Sequence, residues 1–210
     1  MTRVAVALLL ALTGCSVDIV PVSSNRVKSA RKVSKLDQVG PGSPGYFSHS
    51  WSFAAQSSPT ARNLGGGYLM DPTQVEIAGG TLRLRRKPAG TPFDTQTQVI
   101  QATTGIPYVA LEKFAETTGA GHKGVVHYQL SNDGQRWYWF DGSKWSQATP
   151  HLEKANPAAV VTERIRSFPL DVGAGSLYFK AFLSSPSGSE PVEIAKLEVS
   201  GISPETDSWD

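Results

Sequence analysis

The sequence predicts an all-β fold, a two-sheet antiparallel β-sandwich preceded by a disordered tether. Two observations carry that expectation. From residue 46 onward, short runs alternate apolar and polar side chains and are separated by Gly, Pro, Asn and Asp, which is the period of half-buried strands rather than of helices. Gly79-Gly80, Asp133-Gly134 and Asp141-Gly142 fall at the ends of such runs, where tight hairpin turns require positive φ. Strand number and turn composition together favour two packed antiparallel sheets.

Taken in order, Trp51-Ser52-Phe53 alternates, and Gln74 to Ala78 alternates before Gly79-Gly80 and resumes as Leu82-Arg83-Leu84, a hairpin. Residues 105–117 (GIPYVALEKFAET) read as extended because of their proline and their β-branched and aromatic content. Val125–Leu130, Arg136–Phe140, Leu177–Leu183 and Val192–Val199 supply the clearest strands. One or two helical turns are expected after Asn156-Pro157, an N-cap followed by proline at the first helical position.

His127 to Trp145 (HYQLSNDGQRWYWFDGSKW) is the most informative stretch. A two-residue turn at Asp133-Gly134 would pair Leu130 with Trp137, Tyr128 with Trp139 and His127 with Phe140. Side chains alternate across a strand, so Val126, Tyr128, Leu130, Trp137 and Trp139 would form a core face. His127, Gln129, Arg136, Tyr138 and Phe140 would share the opposite face with Ser131, and Trp145 joins them whether the Asp141-Gly142 loop has two residues or four. Aromatic rings among polar groups suit sugars, whose apolar side stacks on a ring while hydroxyls bond to side chains. His127, Gln129, Arg136, Tyr138, Phe140 and Trp145 are therefore the expected ligand face. The alternative is that Tyr138, Phe140 and Trp145 pack beneath a loop or the other sheet, as large aromatics do in most folds.

The N-terminus carries an address. Arg3 precedes the apolar run Val4–Leu12, which is too short to span a bilayer and ends at Leu12-Thr13-Gly14-Cys15, the chain's only cysteine. An apolar run closing on small residues is an export signal. The LTGC ending resembles the lipobox of bacterial lipoproteins. That resemblance implies cleavage after residue 14, acylation of Cys15 and, with Ser16 following, the outer membrane in a Gram-negative host. Two or more acyl chains anchor stably, each buried methylene contributing about 0.8 kcal/mol. Residues 15–45 then read as a tether with Arg26, Lys28, Arg31, Lys32 and Lys35 against Asp18 and Asp37, a composition that cannot fold alone. It reads as a spacer, with its basic residues adding about 1 kcal/mol each near an anionic surface. The domain expectation is leader 1–14, lipidated tether 15–45, β-sandwich 46–201 and tail 202–210.

Several functions are disfavoured by composition. Removing Arg3 with the leader lowers the net charge from +2 to +1, and nucleic-acid binders carry strongly basic faces. The histidines at 49, 122, 127 and 151 show no metal-ligand spacing, and a single cysteine allows neither an intrachain disulfide nor a cysteine-based zinc site. No cofactor is expected. No G-x-S-x-G elbow is present. Asp71, Glu76, Glu112, Glu116, Asp133 and Asp141 could in principle supply paired carboxylates for glycoside hydrolysis. Glu76, Glu112 and Glu116 read instead as solvated strand positions.

The pattern YQLSNDGQRWYWFDGSKW, followed by Phe168-Pro169, LYFKAFLSS (177–185) and VEIAKLEV (192–199), resembles a concanavalin A-like or jelly-roll module of bacterial surface and adhesion-type proteins. The resemblance runs from about Trp51 to Ser200 and implies a recognition or architectural module without catalytic residues. Ser131–Trp137 is also close to the Asp-box of sialidase propellers. It occurs once, and a propeller needs several blades of about 40 residues. The expectation is thus a lipid-anchored, non-catalytic envelope protein that binds a glycan or protein partner. The alternatives are an architectural subunit of a surface assembly and a glycoside-active enzyme of concanavalin A-like fold.

Overall fold

The computed structural model describes residues 40–53, 63–64, 68–86, 88 and 91–204. The leader, Cys15 and the tether up to residue 39 lie outside the described residues. In chain order the strands are β1 (Tyr46–Ser52), β2 (Asn63–Leu64), β3 (Tyr68–Leu69), β4 (Val75–Ala78), β5 (Thr81–Leu84), β6 (Gln98–Ala102), β7 (Ile106–Tyr108), β8 (Ala110–Thr118), β9 (Val125–Ser131), β10 (Trp137–Phe140), β11 (Trp145–Ala148) and β12 (Asn156–Pro157). Helices α1 (Ala158–Arg164) and α2 (Phe168–Asp171) follow, then β13 (Gly175–Ser184) and β14 (Glu193–Ile202). The fold is an all-β, two-sheet antiparallel sandwich.

Each sheet is organised by one ten-residue strand. In the first sheet β14 pairs with β8 along one edge, and its other edge is shared by β1 and by β5 of the β4–β5 hairpin. In the second sheet β13 pairs with β9 along one edge, while β6 and β7 share the other. Beyond β9 lie β10 and β11, and beyond β6 lie β3 and β2. The strands form where alternation is cleanest. Val75, Ile77, Leu82 and Leu84 are buried while Glu76 and Arg83 face outward and pair at 2.9 Å. Gly79 and Gly80 turn this hairpin with φ of 61° and 76°, a geometry that side chains with a Cβ resist. Residues 105–117, expected to be extended from their composition, supply β7 and most of β8, with a bend at Val109 between them.

Between the sheets Trp51, Phe179 and Tyr68 meet edge-on or tilted, as do Phe114 and Tyr128. The side of the sandwich between β8 and β11 is closed by residues 158–171. Val161, Ile165 and Phe168, spaced i, i+4, i+7, are fully buried, the single apolar stripe of a surface helix. Pro169 brings no N–H, and the chain tightens to a 3-10 turn at Ile165–Ser167 before α2. Thr162 Oγ1 donates to the Phe114 carbonyl of β8 at 2.8 Å, while Trp145 Nε1 of β11 donates to Ser167 Oγ at 3.1 Å. The segment thereby ties the two sheets together.

The expected N-cap is displaced by one residue. Pro157 is the cap, with φ −62° and ψ 156°, because the Asn156 side chain is occupied elsewhere. Asn156 Oδ1 accepts from Phe140 N at 2.6 Å and its Nδ2 donates to Phe140 O at 2.9 Å. The side-chain amide thus stands in for a neighbouring backbone at the point where β10 runs past β12.

Two substitutions test this account by denaturant unfolding. Phe168→Ala removes the ring that touches Tyr108, Tyr138 and Trp145 and should cost about 3–5 kcal/mol. Asn156→Ala strands both backbone groups of Phe140 and should cost at least about 1–3 kcal/mol. Losses below 0.5 kcal/mol at both positions would show that the 158–171 segment does not seal the sandwich.

Candidate functional site

The loop between β9 and β10 decides which aromatic rings face outward. Ser131 Oγ accepts from Asp133 N at 3.2 Å and Gly134 N at 2.8 Å, and Asp133 Oδ1 accepts from Gln135 N and Arg136 N, both at 2.8 Å. Arg136 Nε closes on Asp133 Oδ2 at 2.9 Å. Burial pushes the Asp133 carboxyl up, but the Arg136 and Gln135 donors outweigh it and hold the group down at about 2. Gly134 has φ 73°, whereas Asp133 is not in the left-handed region, so the expected two-residue turn does not form. Side-chain acceptors organise a five-residue loop, 132–136, between the strands.

This loop corrects the register by one. Leu130 pairs with Tyr138, not Trp137, and a one-residue slip exchanges the two faces of a strand. Phe140 and Trp145 are buried in the core at 9% and 3% exposure, and Tyr138 packs against it half-buried. Trp145 stays on the Tyr138 and Phe140 side as expected, opposite Phe140 across a four-residue loop held by Asp141. His127 and Gln129 lie on the outer face, and Arg136 is committed to Asp133 in the turn. The six expected ligand-face residues therefore do not share a face.

Trp137 and Trp139 point to the outer side of the sheet instead, the two rings assigned to the core from sequence; Trp137 is nonetheless buried there at 6% exposure, and Trp139 is half-buried. Continuing the observed pairings, Trp139, Gln129, Lys180, Gln101 and Leu69 form one row across β10, β9, β13, β6 and β3. Lys180 Nζ stands 4.2 Å from the centre of the Trp137 ring, and Lys154 Nζ stands 4.6 Å from that of Trp139. Such contacts contribute about 0.5–1 kcal/mol at exposed sites and about 2 kcal/mol where desolvated. Burial lowers the Lys180 pKa. Gln129 is fully buried, its Nε2 donating at 2.7 Å to the carbonyls of Thr149 and Lys154. Those bonds hold Lys154 in place over the face. Among the described residues Gln129 Oε1 and His127 Nδ1 have no hydrogen-bond partner. Tyr178, one row over, lies against Gly134 and Gly105; a Cβ at Gly105 would come within 2.5 Å of its ring.

Charge divides between the sheets. The strands of the second sheet contain no Asp or Glu, and the strand acids Glu76, Glu112, Glu116, Glu193 and Glu198 all belong to the first. Among the described residues neither Lys154 nor Lys180 forms an ion pair, and no cluster of three or more His, Cys, Asp or Glu could hold a metal.

The carboxylates considered for hydrolysis each have a local partner. Asp71 accepts from Thr73 Oγ1 at 2.7 Å, Glu76 pairs with Arg83, Glu112 with Arg166 at 3.8 Å, Asp133 with Arg136, and Asp141 accepts from Ser146 Oγ at 2.6 Å. Glu116 corrects the sequence reading: it lies opposite Leu197 and turns inward, where the buried Tyr128 hydroxyl donates to Oε1 at 2.6 Å. Desolvation raises its pKa and the Tyr128 bond only partly offsets this. The folded protein therefore holds the Glu116 proton to higher pH than the unfolded chain, and stability falls as pH rises through and above 4.5. Glu116→Gln keeps an acceptor for Tyr128 and removes the ionisation. Thermal melts should show the variant matching wild type below that pH and exceeding it at neutral pH. Equal melting temperatures across the range would refute the assignment.

No protein-family model matches this chain, and no curated protein matches it.

Proposed function

We propose that this protein is a lipid-anchored, non-catalytic recognition module of the bacterial cell envelope, binding glycan through the outer face of its second sheet. The observation that carries the reading is the placement of the half-buried Trp139 on the side away from the core, in a row with Lys180 and Gln101 and beside Trp137, which is buried at 6% exposure. Aromatic rings supply stacking surface for the C–H face of a pyranose, and amide and ammonium groups meet its hydroxyls. The glycoside-active alternative has less support, because the acids it needs are occupied in turns, ion pairs or the core. A protein partner is the second reading, favoured by Leu69 and Val99, 43% and 36% exposed on this same face. The anchor rests on the leader sequence and Cys15.

Two experiments test these parts separately. On a glycan array, wild type should bind and Trp139→Ala should lose about tenfold in affinity, while the variant stays folded with only a small drop in melting temperature, because Trp139 lies outside the core cluster and loses mainly its Lys154 contact. Absence of glycan binding together with robust capture of one envelope protein would favour the second reading. In fractionated cells, Cys15→Ala should leave the membrane fraction. A variant that is processed normally and stays membrane-bound would overturn the anchor.

A further inference from the structure

We infer that the ligand class is an acidic glycan, a polysaccharide carrying carboxylates, read by Lys180 and Lys154 above Trp137 and Trp139; this rests on the glycan reading above. Each ring carries one ammonium group over a face, Lys180 at 4.2 Å on Trp137 and Lys154 at 4.6 Å on Trp139, so a neutral sugar stacking there would have to displace it without replacing its interaction. A uronate residue meets both elements at once. Its ring C–H groups reach the exposed part of the half-buried Trp139 indole while its carboxylate takes the ammonium, and charge-assisted bonds are stronger than neutral ones. The charge of the surroundings favours the same ligand: no strand of the second sheet bears an acid, and neither lysine has a carboxylate partner among the described residues. The spacing is fixed from beneath, since buried Gln129 holds the Lys154 carbonyl at 2.7 Å and lies opposite Lys180 in the β9–β13 ladder.

The full-length protein in detergent, titrated calorimetrically with alginate and with neutral dextran, tests the inference. Alginate should bind at least about tenfold more tightly than dextran. Lys180→Met should erase most of that preference, Lys154→Met should reduce it, and Lys180→Arg should restore it. Lys113→Met, on β8 of the other sheet, should change nothing, and near-UV dichroism should show all four variants folded. Trp139-dependent binding of dextran and alginate with equal affinity would overturn the acidic class while leaving the glycan reading intact. Binding of neither removes both. Competition by polyphosphate as effective as by alginate would show that the lysines respond to charge alone, which also overturns the inference.

Discussion

The register between β9 and β10 governs the rest of this molecule. It is set by few atoms: the Ser131 hydroxyl and the Asp133 carboxylate capture four backbone N–H groups of the connecting loop. A strand shifted by one residue would carry Trp137 and Trp139 into the core and turn Tyr138 and Phe140 outward. The loop thus determines which pair of rings packs between the sheets and which pair lies on the outer side, where Trp137 is buried and Trp139 half-buried.

The inward pair has a counterpart in the segment that closes the sandwich. Phe168 lies between Tyr138 and Trp145, with ring centres 6.1 and 5.0 Å away, and Asn156 supplies the hydrogen bonds that Phe140 would otherwise lack. Polar and apolar contacts here are interdependent. The aromatic packing fixes the helices, while Trp145 N donates to Asp171 Oδ2 at 3.0 Å and Trp145 Nε1 to the Arg164 carbonyl at 3.2 Å. The core can therefore extend to the sandwich edge without stranded donors.

The two sheets differ in chemistry as well as position. The first holds all the strand carboxylates, one of them, Glu116, facing inward and bonded to Tyr128 of the second. The strands of the second carry no acid, and its cations rest on indole rings. The first balances its own charges through Glu76–Arg83 and Lys113–Glu198, while Lys154 and Lys180 at the second have no carboxylate partner among the described residues.

The sequence by itself determined the sandwich, the β4–β5 hairpin at Gly79-Gly80, the extended character of residues 105–117 and the placement of Trp145 on the side of Tyr138 and Phe140. Each of these depends on local alternation or on a turn whose chemistry is carried by adjacent residues. Only the tertiary structure decided which face of β10 is the core, because an odd or even loop length hangs on side-chain hydrogen bonds that composition does not reveal. It also brought Lys154 and Lys180 to the two tryptophans and Tyr128 to Glu116. Those residues come from different strands and connections, and sequence periodicity contains no information about which distant segments will be laid side by side.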